Sequence, residues 1–262
     1  MNVVPPSRRH LRPLVAPASS REVYYFPVQI DVALIGGTGI GERLAALGGT
    51  PIHVPTADGL VRGRLIEHRG LKLLALSRHS RGHKVPPHRV AYAAMARAAL
   101  QLGAKACLGT AAVGSLRREW GPGTLVAASD FLDLTYRNVT LHDRKVIHTD
   151  FSDPFPARKA LLQEGVVDGG VYMGLNGPRY ETPVEIKTFR QLGADLVGMT
   201  ATTEAIAFRE AGVPYGLLSI VTNLAAGLSD TPLDHEEVVV EMKRSGERAV
   251  EILLEAAVRL AA

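Results

Sequence analysis

The sequence predicts a three-layer α/β protein, with helices packed over a central mixed sheet. Three observations carry this. Short apolar runs that end in small or polar residues recur along the chain, as buried strands do. Between them lie Ala-rich or amphipathic stretches long enough for helices. The 262 residues, 46% hydrophobic and 21% charged, suffice for one core of ordinary globular size.

Residues 1–29 stand apart, with Pro5, Pro6, Pro13 and Pro17 among Arg8, Arg9 and Arg12. Ser7-Arg8-Arg9 loosely resembles a twin-arginine export signal, but Pro13 and Pro17 interrupt any apolar region. An N-terminal arm, draped over the body or partly disordered, is expected there, and residues 30–262 form the functional domain. Val32-Ala33-Leu34-Ile35 is a buried strand ended by Gly36-Gly37. The runs 61–67 and 71–76, joined through Arg69-Gly70, predict a hairpin. An Ala-rich helix is expected from Pro87 to Leu102, stopped by Gly103. Strands follow at 106–109 and 124–128, a helix at 181–192, a strand at 195–199, part of a helix at 204–210, and a long apolar strand at 215–222. Asp234 and Glu237 have capping-box spacing. Behind them Val239, Met242, Gly246, Ala249, Leu253, Ala256 and Leu260 recur at helical spacing through one long amphipathic helix.

Composition narrows the function. Lys+Arg total 30 against 26 Asp+Glu, a net charge of +4, and the two signs are interleaved, so no nucleic-acid partner is indicated. No apolar run reaches the roughly 18–20 residues that cross a bilayer, so no membrane partner is expected. The single cysteine, Cys107, excludes an intramolecular disulfide framework and Cys-rich zinc sites. A cytoplasmic location is expected.

Four segments carry candidate chemistry because small and polar residues follow directly on buried strands, where ligands sit in α/β sheets. Gly36-Gly37-Thr38-Gly39-Ile40-Gly41 fits an anion site, a dinucleotide loop or a tight turn; Glu42 takes the place of the third glycine of a dinucleotide fingerprint. Ser77 to Lys84 holds five potential cations in eight residues. Arg78 and His79 suit a phosphate, and a solvated loop suits the same composition. The small residues 109–115 fit a flat ligand or a close helix–strand contact. The fourth set comprises 177–182, 198–200 and 219–223. Within it Tyr180 can stack on an aromatic ligand, and Asn223 fits either a ligand contact or a strand-ending turn.

In this order the segments resemble the trimeric nucleoside phosphorylase family, which contains purine nucleoside, methylthioadenosine and methylthioinosine phosphorylases. The strings are Ile35-Gly36-Gly37-Thr38-Gly39, Arg78-His79 with Pro87 and Tyr92, Gly114-Ser115-Leu116, Gly177-Pro178-Arg179-Tyr180-Glu181-Thr182, Gly193-Ala194-Asp195 with Gly198-Met199-Thr200, and Thr222-Asn223 with His235-Glu236-Glu237-Val238. The resemblance runs from about Val32 into the last helix. It implies a three-layer α/β/α fold with a central mixed, partly barrel-like sheet. It also implies phosphorolysis of a purine nucleoside with inorganic phosphate as co-substrate and neither metal nor organic cofactor, and a homotrimer or dimer of trimers. By resemblance, Thr38, Arg78, His79, the Ala112 N–H and Thr200 hold phosphate. Met199 contacts the ribose, Tyr180 packs on base or sugar, and His148 reaches a neighbour's 5′ pocket.

Residue chemistry then selects the base. A 6-oxopurine presents N1–H as donor and O6 as acceptor. Glu181 accepts from the first, while Asn223 donates to O6 and accepts from N7–H. Adenine reverses that edge, a mismatch worth several kcal/mol in a buried site. Catalysis is accordingly expected from Asn223, Glu181 and His79, on inosine and guanosine in purine salvage. His235, at a helix N-terminus, suits a ribose 5′-hydroxyl, whereas Val146-Ile147-His148 and 149–152 resemble the methylthio branch. Two departures from the family pattern stand out: Ala111 in place of a threonine or asparagine, and Ala201-Thr202-Thr203-Glu204 without the usual proline. Phosphorolysis of S-methyl-5′-thioinosine or methylthioadenosine is the alternative reading, and a non-catalytic nucleoside binder and a nicotinamide-dependent oxidoreductase are the competing readings from other classes.

Overall fold

The computed structural model describes residues 28–80, 82–229 and 234–262. The arm expected at residues 1–29 falls almost wholly outside the described residues. One mixed sheet organises the rest. β1 (Val32–Gly36) pairs in parallel with β4 (Leu71–Ser77) on one side and β5 (Ala106–Ser115) on the other. The predicted hairpin is β3 (Gly59–His68) and β4, and β2 (Thr50–Thr56) adds an antiparallel edge. Alternation along β1 sends Ala33 and Ile35 to one face and Val32 and Leu34 to the other, all four fully buried. α1 (Ile40–Ala46) and α5 (His235–Ala261) cover one face; α2 (Tyr92–Gln101) and α4 (Ala201–Glu210) cover the other. α3 (Pro183–Gln191) closes a smaller apolar cluster with Leu116, Met173 and Val197.

The sheet forks at β5. β11 (Tyr215–Leu224) runs along one edge of it from Cys107 to Ser115. The opposite edge pairs β1 at 106–109 and β10 (Leu196–Gly198) at Gly114 and Ser115. Between these stretches, 110–113 face a gap where β1 and β10 diverge. β10 continues to β9 (Val171–Gly174) and β7 (Asp130–Asp133); β6 (Leu125–Ala127) and β8 (Val166–Asp168) extend from β11. The sheet therefore opens instead of closing into a barrel.

Several local expectations are corrected. Pro87–Arg89 forms a separate 3₁₀ turn, Val90 is extended and buried, and the helix begins only at Tyr92. Burying Val90 outweighs continuing the helix. The small residues 109–115 do not follow the strand; they are its second half, because β11 pairs along their whole length. α5 is capped by the Asp234 carboxylate accepting from the Glu236 N–H (3.0 Å), not by a reciprocal pair with Glu237. Its buried stripe starts at Val238, with Val239 turned outward. α1 and strands β2, β7, β8 and β9 escape the sequence reading, being short or edge elements with weak periodicity.

Candidate active site

The gap in the sheet opens into a cavity of about 290 Å³. It sits where neighbouring strands leave a long strand in different directions, the usual place for a ligand in an open α/β sheet. Thr38, Arg78, His79, Ala112, Thr200, Met199, Tyr180, Glu181 and Asn223 all line it. Side chains expected to meet phosphate and side chains expected to meet a base thus share one chamber.

On one side, Arg78 is buried and arrives directly after β4. Its guanidinium is already engaged: Nε and Nη2 bind the two oxygens of Glu204, Nη2 at 2.7 Å, and Nη1 donates to the Thr110 carbonyl at 2.7 Å. Burial works against its charge, but the facing Glu204 carboxylate holds its pKa above the ordinary value. Three of five N–H groups are used, leaving two for a ligand. Gly37 is glycine because a Cβ there would lie 2.6 Å from Arg78 Nη1. The glycine-rich segment is thus a tight turn that lets the chain pass over the guanidinium, with half-buried Thr38 exposed to the cavity. The Thr110 carbonyl faces the gap, and by the alternation of backbone groups along a strand so does the Ala112 N–H. Thr200 precedes α4, where its N–H donates to the Tyr172 hydroxyl (3.3 Å).

His79 departs from its expected donor role. Burial, reinforced by Arg78, pushes its imidazole down to about 4. Its Nδ1 lies 2.8 Å from the Val85 carbonyl, which can only accept, so Nδ1 carries the proton and Nε2 is an acceptor. The sign follows: the unfolded ring binds a proton more readily than the folded one, so stability falls as pH drops through the window between the two pKa values. From about pH 7 to about pH 5 the loss is about 2 kcal/mol. Urea unfolding of wild type and His79→Gln at both pH values checks this, the variant lacking that part of the slope.

On the other side, Glu181 precedes α3, whose Thr182 cap and Glu185 form a capping box. Burial pushes the Glu181 carboxyl up from the ordinary range. Asn223 follows a bulge: Val221 pairs Val113 and Asn223 pairs Gly114, leaving Thr222 extra. Its Oδ1 accepts from Thr222 Oγ1 (2.9 Å) and Nδ2 donates to the Leu224 carbonyl (2.9 Å). One N–H and one lone pair remain for a ligand edge. A Cβ at Gly114 would sit 3.4 Å from this amide and 3.1 Å from Val197. Tyr180 is partly exposed, at 36%.

Two expected residues stand apart from these: His148, expected at a neighbour's pocket, is exposed and does not line this chain's cavity, and the His235 side chain falls outside the described residues, although Val238, one turn on, lines the cavity. Two important residues escape the sequence reading. Glu204 stands out in the sequence only within the 201–204 departure; a lone acid in an Ala-rich buried stretch is the signal that it needs a cation. Arg137, in a loop, offers no such signal.

Arg78, Thr38 and Thr200 share one chamber with the Asn223 amide and the Glu181 carboxylate in the fork of an α/β sheet, a set of groups suited to an enzyme that brings an anion to a heterocycle-bearing substrate. The sequence model of the phosphorylase superfamily matches residues 31–259, and the chain belongs to that family. It is 40% identical over 240 residues to a probable 6-oxopurine nucleoside phosphorylase of Moorella thermoacetica, covering 86% of this chain and 91% of the relative. It is 38% identical over 233 residues to a probable S-methyl-5′-thioinosine phosphorylase of Methanopyrus kandleri, covering 85% and 90%. Among solved structures, methylthioadenosine phosphorylase from Schistosoma mansoni in complex with adenine superposes with a TM-score of 0.81 at 27% identity, covering 88% of this chain and 92% of that one.

Proposed function

We propose that this enzyme cleaves 6-oxopurine nucleosides, inosine and guanosine, with inorganic phosphate, giving free purine and ribose 1-phosphate. The observation that carries the reading is the convergence of Glu181 and Asn223 on the cavity that holds Arg78. A phosphate oxygen attacks C1′ as the C1′–N9 bond breaks, and that electron pair leaves with the purine. Two Arg78 N–H groups, the Thr38 and Thr200 hydroxyls and the Ala112 N–H hold the anion, and His79 Nε2 accepts from a protonated phosphate oxygen. Met199 meets the ribose through its backbone N–H and Tyr180 packs on the base or sugar. Glu181 accepts from N1–H. Asn223 donates to O6 as charge builds on the departing base, and its Oδ1 accepts from N7–H once a proton from solvent neutralises N7. No metal or organic cofactor is needed for these steps.

Base release from inosine is expected only when phosphate is present; release at the same rate without it would replace phosphorolysis by hydrolysis. Asn223→Asp is expected to raise the adenosine-to-inosine ratio of kcat/KM by about tenfold, because the new carboxylate accepts from N6–H. An unchanged ratio would refute the base-edge assignment.

A second substrate shares the same base edge. Val238 puts an apolar side chain on the cavity wall beside the start of α5, which favours S-methyl-5′-thioinosine, the substrate in the name of the Methanopyrus relative. A panel of inosine, guanosine and methylthioinosine decides between a 5′-hydroxyl and a 5′-thiomethyl preference. We further propose a homotrimer, or a dimer of trimers, in the cytoplasm, with His148 reaching a neighbour's site. Val146, 89% exposed, and Ile147, 50% exposed, supply apolar surface beside it. A monomer by light scattering would overturn this. No helix among the described residues is long and apolar enough to cross a membrane.

A further inference from the structure

We infer that Arg137 is a positioning residue for the nucleoside half of the site: one guanidinium ties the base loop that begins at Asn176 and the ribose contact at Met199 to the helix that starts at Tyr92. Arg137 follows β7 and does not line the cavity. Its inward course is set locally. The buried Thr135 hydroxyl accepts from the Arg137 N–H (3.2 Å), and Tyr136 between them takes a left-handed φ of 55° and points outward. Nε then donates to Asn176 Oδ1 (2.7 Å) and Nη2 to the Asn176 carbonyl (2.8 Å). Nη1 is shared among the Tyr92 hydroxyl (3.1 Å), the Met199 carbonyl (3.2 Å) and Thr203 Oγ1 (3.3 Å). The guanidinium also lies over the Tyr92 ring, 5.5 Å from its centroid.

Each partner leads to a cavity residue. Asn176 begins the loop through Pro178 and Tyr180 to Glu181. Met199 is itself on the wall, and Tyr92 donates to the carbonyl of Pro87, also on the wall (2.8 Å). None of these bonds is made to Thr38, Arg78 or His79 themselves. A planar fork can hold Asn176 and Met199 together; the single ammonium of lysine cannot. Arg137 therefore sets the spacing between the base loop and the ribose contact; of the groups assigned to phosphate only Thr200, next to Met199, lies beside a bond that it makes.

The assay presumes the phosphorolysis proposed above, and steady-state kinetics with inosine and phosphate test the inference. In Arg137→Ala and Arg137→Lys, the KM for inosine is expected to rise about tenfold or more, while the KM for phosphate stays within about threefold. Guanidinium chloride at millimolar concentration is expected to restore part of the inosine KM of Arg137→Ala. A fall in kcat with both KM values unchanged, equal rises in both, or no rescue would reduce Arg137 to a structural residue and overturn the inference. Should Arg137→Ala not fold, Asn176→Ala removes one acceptor of the same brace and must shift the inosine KM in the same direction. Wild type is run alongside. If it releases no base with phosphate, the functional reading fails, and inosine affinity by calorimetry, wild type against Arg137→Lys, still decides the role of Arg137.

Discussion

Asn223→Ala is expected to lower kcat for inosine by about 10²–10³-fold, with a much smaller change in KM for phosphate. The purine is a poor leaving group because the C1′–N9 electron pair makes it an anion. Charge spreads to O6 and N7 only as the bond breaks, so a group bonded to those atoms acts more strongly in the transition state than on the bound nucleoside. The Asn223 amide is fixed in advance. Its Oδ1 takes the Thr222 hydroxyl and its Nδ2 the Leu224 carbonyl, which sets the sense of the amide before substrate arrives. Alanine removes the group and leaves the bulge. Pre-steady-state measurement of purine release reads the chemical step directly; a change of less than about threefold would take Asn223 out of the leaving-group role.

Glu204→Ala is expected to destabilise the protein by about 3–5 kcal/mol, read as a shift of the urea midpoint at constant slope and fixed protein concentration. Glu204 is fully buried, as is Tyr215, whose hydroxyl donates to it at 2.7 Å. Without the carboxylate the Arg78 guanidinium becomes an unpaired buried charge and the Tyr215 hydroxyl loses its acceptor. Glu204→Gln keeps the volume and one acceptor, so it should cost less in stability while still freeing Arg78 to swing. A midpoint unchanged in Glu204→Ala would mean that Arg78 finds water or another anion in the cavity.

The same pair shows why a sequence reading points to Arg78 and not to its partner. Arg78 stands at the end of an apolar run, a local signal. Glu204 lies 126 positions away, and nothing near it in the chain says which cation it will meet. Arg137 is a stronger case, since its partners at Tyr92, Asn176, Met199 and Thr203 come from three distant segments. The tautomer of His79 is also set by the fold, because the Val85 carbonyl beside its Nδ1 is placed by the course of the loop.

Local order and periodicity along the chain were enough to establish the α/β class, the principal strands and the last helix, while positions 78, 181 and 223 were singled out by the resemblance to a phosphorylase family. The class, strands and helix depend on neighbours within a few positions, where alternation, helical spacing and turn chemistry act. The fork of the sheet at β5, the bulge that turns Asn223, and the engagement of Arg78 by Glu204 arise only when distant segments pack. Burial then makes each unpaired polar group costly enough to select a partner.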